Sequence, residues 1–287
     1  MGTALAAARD ALHERDGARF DAQLLLGTIL GRNSAWLLAH ENETLGDAVA
    51  RRFALALARR AAGEPVAYIL GETGFYGRRF EVTAAVLVPR PESELLVTLA
   101  VAALRERGDP EVRLYDVGTG SGILAVTLAA ELRHATLVAS DVSPAALVCA
   151  KRNARLHAVD GRVHFVLGDL LDAVAAEERF ACIVANLPYV RTRDLQPFPD
   201  PTAFEPRLAL DGGPDGLGPY RRLLARARTA LEPAGSLLME AGPDSAHELA
   251  EISRRAFGDG ATVSVERDYA ALERVVRVRA PGERHDR

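Results

Sequence analysis

The motif Asn-Leu-Pro-Tyr at 186–189 places a carboxamide, a proline and an aromatic ring directly after an apolar run. The side-chain oxygen of Asn186 can accept a hydrogen bond from an N–H group, and the Leu187 carbonyl can accept a second. Pro188 restricts Leu187 to an extended backbone, which fixes the direction of that carbonyl. Tyr189 offers a ring face for stacking. The motif predicts a substrate site for a planar group that carries NH2, either a side-chain carboxamide or a nucleobase amine.

Such a site would act mainly by alignment, because an amide nitrogen is a poor nucleophile whose lone pair is delocalised. Holding both N–H bonds directs the nitrogen toward an electrophile, and orientation can supply about 7–11 kcal/mol of the acceleration. No His, Cys or Lys lies where it would serve as a base or covalent nucleophile. We therefore predict Asn186, Pro188 and Tyr189 as the catalytic residues.

A glycine-rich turn, Asp-Val-Gly-Thr-Gly-Ser-Gly-Ile at 116–123, stands between a predicted strand and a predicted helix. Gly118, Gly120 and Gly122 allow a sharp turn and the close approach of a ligand. Asp141 ends the next predicted strand, where a carboxylate can accept hydrogen bonds from ribose hydroxyls. The chain has no Gly-Lys-Ser/Thr sequence at this turn, and the GxGxG spacing favours S-adenosylmethionine over NAD.

A third polar group follows the next predicted strand. Asp169 could accept from the amine of an adenine that Leu170 covers, although an ordinary turn aspartate would have the same sequence. Asn186 should face the same crevice, since the ends of parallel strands meet at one edge of a sheet, and we count it with the cofactor contacts. No metal site is predicted.

Composition is that of a soluble globular protein, with 287 residues, 48% hydrophobic residues and a net charge of −4. This charge argues against non-specific nucleic-acid binding, which needs a basic face. Its two cysteines have no partner motif and read as buried thiols in a reducing compartment. The N-terminal segment has charges throughout and no apolar core typical of a signal peptide. We expect a cytoplasmic protein without a membrane partner.

The elements that must position these residues alternate from about residue 112 onward. Strands are predicted at 112–117, 135–140, 163–167, 181–186 and 235–240, with helices between them and a C-terminal hairpin. Alternation of this kind predicts an α/β fold with a doubly wound, mostly parallel sheet. Residues 1–72 show helical periodicity and predict a small bundle, and the glycine-punctuated residues 73–90 predict a hairpin linker. The catalytic domain is expected over 91–287.

The chain resembles the HemK/PrmC family, which methylates the glutamine of the Gly-Gly-Gln motif in class-1 peptide-chain release factors. The resemblance covers almost the whole length and rests on motifs at 68–77, 86–96, 116–125, 186–189, 205–217 and 267–276. It implies an N-terminal bundle, with a role in docking the substrate protein, and a seven-stranded class I (Rossmann-like) methyltransferase domain. Release factors are the implied partners.

The resemblance also implies the site residues. The cofactor loop would consist of Gly118, Thr119, Gly120, Ser121 and Gly122. Asp141 would bind the ribose and Asp169-Leu170 would lie against the adenine. Residues Asn186 to Tyr189 would hold the glutamine.

One departure from the family pattern leaves an alternative open. The family usually shows Asn-Pro-Pro-Tyr, and this chain has Leu187 at the first proline. Asn-Leu-Pro-Tyr also occurs in rRNA adenine dimethyltransferases, so a nucleobase (adenine) amine methyltransferase acting on RNA or DNA is the alternative. Such an enzyme should carry a basic target-recognition region, and the charges of the bundle are balanced. We therefore expect no direct nucleic-acid partner. A non-catalytic binding module is a third hypothesis, which the intact glycine loop and Asn186 disfavour.

Overall fold

The computed structural model describes residues 1–12, 17–109, 111–198 and 200–282. The chain forms two compact units. The first combines Met1–Thr73 with the short segment Gln196–Phe204, and the second combines Gly74–Leu195 with the residues from Glu205 onward.

The first unit is a helical bundle. Its helices are α1 (Gly2–Ala11), α2 (Ala18–Leu30), α3 (Ser34–Ala39), α4 (Asp47–Ala61) and α5 (Val66–Leu70). Asn33 caps α3 by accepting from the Trp36 N–H at 2.8 Å. Leu25, Leu37 and Phe53 are buried at its centre. The Arg60 side chain donates to Asp21 at 2.7 Å and so links α4 to α2.

A short hairpin follows the bundle in sequence. Strands β1 (Glu72–Phe75) and β2 (Arg78–Glu81) form a two-stranded sheet. Both turn residues, Tyr76 and Gly77, have positive φ angles of 49° and 69°. Two consecutive residues of this conformation suit the right-handed twist of hairpin strands.

The second unit is built on a seven-stranded sheet. Its strands are β3 (Val112–Val117), β4 (Ala135–Asp141), β5 (Val163–Leu167), β6 (Phe180–Ala185), β7 (Leu231–Glu240), β8 (Thr262–Arg267) and β9 (Glu273–Arg279). They lie in the order β5-β4-β3-β6-β7-β9-β8. Strands β3 to β7 pair in parallel, and β9 runs antiparallel to both of its neighbours. The predicted α/β fold and the C-terminal hairpin are confirmed.

Helices cover both faces of this sheet. They are α6 (Glu94–Arg107), α7 (Ile123–Glu131), α8 (Pro144–Leu156), α9 (Gly218–Ala230) and α10 (Ala246–Phe257). In β6, Cys182 and Val184 pack on the face covered by α6 and α7, whereas Ile183 and Ala185 pack on the face covered by α9 and α10. Because a strand alternates its side chains, burial on both faces requires the continuous apolar runs seen in the sequence.

Strand β7 differs from its prediction. We expected it to begin at residue 235, but it begins at Leu231 and includes Pro233. Its pairing with β6 is irregular between Phe180 and Cys182, and Ala234 has a positive φ of 57°. A bulge accommodates the proline, which otherwise argues against a central strand. Within the described ranges, no helix is long and apolar enough to cross a bilayer.

Candidate active site

The predicted site residues meet at the carboxyl ends of the parallel strands. A pocket of about 380 Å³ lies there, within the range of about 300–1,000 Å³ typical of small-molecule sites. Of the predicted residues, those lining it are Gly118, Thr119, Gly120, Ser121, Asp141, Asp169, Leu170, Asn186, Leu187 and Pro188. Gly122 and Tyr189 are not among its lining residues.

The glycine loop is held by hydrogen bonds to the end of β4. The N–H groups of Gly118 and Thr119 donate to the Ser140 carbonyl, at 3.0 and 2.8 Å. Gly118 has a φ of 74°, and a Cβ there would lie 2.9 Å from Leu187 Cδ2. Gly122 has a φ of 81°, and a Cβ there would lie 2.9 Å from Ala150 Cβ on α8. Gly122 therefore serves close packing of the loop against α8.

Asp141 lines the pocket at the end of β4. Its Oδ2 accepts from the Gly120 N–H and its Oδ1 accepts from the Ser143 N–H, both at 2.9 Å. An ionised carboxylate has about four acceptor positions, so two remain for hydroxyl donors. The geometry suits the binding of a vicinal diol.

Asp169 carries an ion pair that the sequence did not indicate. The guanidinium of Arg222, on α9, donates to the Asp169 carboxylate, and both residues line the pocket. The next residue, Leu170, has a positive φ of 49°, and its carbonyl accepts from the Tyr115 hydroxyl at 2.7 Å. Arg222 therefore limits which oxygen of Asp169 can accept from a ligand.

Asp116 is a buried carboxyl beneath the glycine loop. Its Oδ2 accepts from the Thr119 hydroxyl at 2.6 Å and from the Ala125 N–H at 3.2 Å. Its Oδ1 has no hydrogen-bond partner among the described residues. Burial raises the pKa of Asp116 to about 7, although the hydrogen bonds from Thr119 and Ala125 oppose the shift.

Asn186 follows β6 and is tied to the segment before α6. Its Nδ2 donates to the Ser93 hydroxyl at 3.0 Å. That hydroxyl donates to Glu240 Oε2 at 2.5 Å, and the Tyr189 hydroxyl donates to Glu240 Oε1 at 3.3 Å. Glu240 ends β7, the strand next to β6, and is 1% exposed. Burial raises the pKa of both Tyr189 and Glu240.

Leu187, where the family pattern has proline, uses its own N–H. That N–H donates to the Tyr220 hydroxyl at 3.1 Å, and this hydroxyl donates to the Glu240 carbonyl. The Leu187 side chain is 4% exposed and packs toward Gly118. A hydrogen bond and side-chain packing thus hold the backbone that a second proline would otherwise stiffen.

Two glycines bring the family-specific segment at 205–217 close to the Asn-Leu-Pro-Tyr backbone. A Cβ on Gly216 would lie 2.4 Å from the Tyr189 carbonyl oxygen, and one on Gly212 would lie 2.7 Å from the Pro188 carbonyl oxygen. The Gly212 N–H donates to the Val190 carbonyl at 2.8 Å. Residues 205–217 therefore pack against the backbone of the Asn-Leu-Pro-Tyr turn and support its conformation.

Sequence reasoning missed several residues of the site. Asp116 and Glu240 both stand at the ends of parallel strands, so the rule that selected Asp141 and Asn186 would also have selected them. Ser93 lies inside the family motif at 86–96, but a serine in a sequence does not by itself indicate a role in the site. Nothing in the sequence signalled Tyr220.

Comparisons with known proteins show the family to which this chain belongs. The family model for the PrmC N-terminal domain matches residues 3–71, and that for the methyltransferase small domain matches residues 93–198. The release factor glutamine methyltransferase of Moorella thermoacetica is 42% identical over 258 residues, covering 89% of each chain. That of Bordetella pertussis is 38% identical over 267 residues, covering 93% of this chain and 97% of the relative. This chain belongs to the release factor glutamine methyltransferase family. Membership confirms the resemblance drawn from the motifs, and with it the prediction of a methyltransferase.

Among solved structures, the hMettl16 catalytic domain in complex with MAT2A 3'UTR hairpin 6 aligns with a TM-score of 0.55. The alignment covers 83% of each chain at 14% sequence identity. A likeness at this identity shows the fold alone, so the RNA in that complex carries no weight for the substrate of this family member.

Proposed function

We propose that this methyltransferase transfers a methyl group from S-adenosylmethionine to the side-chain amide nitrogen of the glutamine in the Gly-Gly-Gln motif of class-1 peptide-chain release factors. The observation that carries the proposal is the shared pocket of Asn186, the Leu187 backbone and the glycine loop. A carboxamide acceptor and a cofactor loop at one sheet edge fit transfer to a planar NH2 group.

The residues of the pocket fit S-adenosylmethionine. Asp141 retains acceptor positions for the ribose hydroxyls, and Gly120 opens onto free space with a φ of 55°. Asp169 and Leu170 would contact the adenine, with Arg222 restricting the carboxylate. When bound, the cofactor supplies an electrophilic methyl carbon on a sulfonium. Residues 118–121, which line the pocket, would lie against it.

The substrate amide would be held by the Asn186 side-chain oxygen and the Leu187 carbonyl. Two acceptors on one NH2 group favour positive charge developing on nitrogen in the transition state. Pro188 would fix the direction of the Leu187 carbonyl. Tyr189 would support the turn through its bond to Glu240, since its hydroxyl is directed there. The methylated nitrogen can lose its proton to water afterwards, so no strong base is required.

We further propose that residues 1–72 dock the release factor, with 73–90 as the linker and 91–287 as the transferase domain. The bundle exposes large apolar side chains on separate helices, including Phe20 on α2 and Leu55 on α4, at 65% and 68% exposure. Single exposed apolar side chains are common on protein surfaces, so Phe20 and Leu55 mark positions at which the docking proposal can be tested. The reaction would take place in the cytoplasm, where release factors act.

The test is incubation of the purified chain with methyl-labelled S-adenosylmethionine and a purified release factor, followed by mass mapping. We expect one labelled methyl group on the glutamine of Gly-Gly-Gln. A release factor with Gln→Ala at that position is the control and should remain unlabelled. Label that appeared on added RNA instead would overturn the proposal and favour the nucleobase alternative.

A further inference from the structure

We propose that Ser93 is a positioning residue that orients the Asn186 carboxamide so that its oxygen, and not its NH2 group, is free to accept from the substrate. The inference deepens the proposed function and rests on it. It starts from the hydrogen bonds that connect Asn186, Ser93 and Glu240.

The backbone of Ser93 is already helical. Ser93 ends a 3-10 turn (Pro91–Ser93) that continues into α6, with φ −65° and ψ −14°, whereas a serine that caps a helix has a non-helical backbone. Here the hydroxyl makes no capping hydrogen bond. Ser93 is 0% exposed, and its hydroxyl is directed instead to Glu240 and Asn186. Helix capping therefore does not account for this serine.

The direction of the chain of hydrogen bonds follows from the number of protons available. A serine hydroxyl has a single proton to donate. Ionised Glu240 takes it at 2.5 Å, a distance typical of a hydrogen bond to a carboxylate. Burial raises the pKa of Glu240, but the hydrogen bonds from Ser93 and Tyr189 and the charge of Arg274 oppose the shift and favour the ionised form. The other oxygen of Glu240 accepts from Tyr189. The Ser93 oxygen is then left as an acceptor, and only the NH2 end of Asn186 can satisfy it.

The outcome for Asn186 is a fixed amide. With its NH2 group held by Ser93, its oxygen lies in the same amide plane on the other side of the Cβ–Cγ bond, directed away from Ser93. Rotation by 180° would bring an NH2 donor against the NH2 group of the substrate and a carbonyl oxygen against a hydroxyl that has no proton left. Both contacts are unfavourable, so the interaction with Ser93 selects the orientation that the proposed reaction needs.

Kinetics of two variants in the full chain test the role. Ser93→Ala removes the acceptor, and Ser93→Thr, the matched control, retains a hydroxyl. For Ser93→Ala we expect kcat on a release factor to fall about 10- to 100-fold, as misplacement of a positioning group can cost. The Kd for S-adenosylmethionine should change less than twofold. Ser93→Thr should recover most of kcat.

A second measurement needs no methyl transfer. The chain has four asparagines, Asn33, Asn42, Asn153 and Asn186, so the side-chain NH2 signals of a 15N-asparagine sample can be assigned by substitution. In the unaltered enzyme, one Asn186 NH2 proton should be shifted downfield and protected from solvent exchange. Ser93→Ala should abolish the shift and the protection, and Ser93→Thr should keep both.

The outcomes separate the inference from the proposed function. The inference is overturned if Ser93→Ala keeps the Asn186 signal, or if it loses the signal but keeps full kcat. Full turnover of Ser93→Ala alongside an inactive Asn186→Ala would leave the proposed function standing and remove Ser93 from it. Label on RNA would sink the proposed function, while the NMR signal would still decide whether Ser93 orients Asn186.

Discussion

Asn186 and Asp141 line the same pocket, but we expect substitutions at the two positions to affect different steps, methyl transfer and cofactor binding. Asn186→Ala removes a proposed substrate acceptor, so we expect transfer to fall at least about 100-fold while the Kd for S-adenosylmethionine stays nearly constant. Asp141→Ala removes the proposed ribose acceptor, so that Kd should rise about tenfold or more. Calorimetric titration and turnover at saturating cofactor measure the two effects. Full turnover of Asn186→Ala at saturating substrate would contradict the proposed hydrogen bond between Asn186 and the substrate amide.

The buried carboxyl of Asp116 should make stability depend on pH. Burial raises its pKa to about 7 in the folded chain from the ordinary value of 3.8. The folded state therefore binds the proton more tightly than the unfolded state does. This contribution to the free energy of unfolding is complete below about pH 4 and is lost as the pH rises toward 7.

Chemical denaturation at pH 4 and pH 7 measures this effect as a difference between two proteins. Asp116→Asn cannot titrate, so between those pH values its free energy of unfolding should fall by about 2–4 kcal/mol less than that of the parent. The comparison cancels the carboxylates that both proteins share. Parallel pH dependences would show that folding does not raise the pKa of Asp116.

At the scale of elements, the segment behind the catalytic turn depends on a glycine at 216. That residue has a φ of 79°, and its added Cβ would lie 2.4 Å from the Tyr189 carbonyl oxygen. Gly216→Ala should therefore displace the turn, lowering kcat about 10- to 100-fold and destabilising the fold by about 1–3 kcal/mol.

Gly213→Ala is the matched control for this change. Gly213 also has a positive φ, of 90°, but a Cβ there would meet nothing within 4 Å. Gly213→Ala should carry the strain of a positive φ at alanine, and so lose stability, but it should retain kcat. Equal activity losses in the two variants would mean that strain, and not the contact with Tyr189, is responsible.

Elements were more predictable than the contacts between them. Strands β3 and β5 begin and end where they were predicted, because each is a short run rich in β-branched and aromatic residues that glycine and polar turn residues bound. The predicted start of strand β7 was four residues too late. A proline such as Pro233 ordinarily ends a strand, and the sequence does not show the bulge that accommodates it here.

Strand ends also predicted which side chains would share the pocket, and Asp141 and Asn186 both line it. The partners of those side chains could not be read from the sequence. Ser93 reaches Asn186 across 93 positions of the chain and Glu240 across 147, so only the folded sheet brings the three together. Tyr189 has the aromatic type expected for stacking, but its hydroxyl is drawn to Glu240, which no local pattern reveals.

At the scale of the whole molecule, recognition of an intact release factor should need more than the pocket. Phe20→Ser and Leu55→Ser, in the bundle, should raise KM for the intact protein about tenfold. Neither should change turnover of a short Gly-Gly-Gln peptide, which is too small to reach a separate docking surface. Steady-state kinetics with both substrates measures the difference.

Tyr269→Ser is a suitable comparison for these two changes. Tyr269 is 96% exposed and belongs to the transferase unit, outside the bundle. It should leave KM for both substrates unchanged. If the bundle variants matched Tyr269→Ser in every assay, residues 1–72 would have no part in docking.

The N–H of Leu187 determines what a proline at this position would change. Leu187→Pro would delete the donor to the Tyr220 hydroxyl. That hydroxyl would keep its own hydrogen bond to the Glu240 carbonyl, so the buried phenol would not be left unpaired. The commoner motif is therefore compatible with Tyr220, and it would cost this chain one hydrogen bond and the packing of Leu187 toward Gly118.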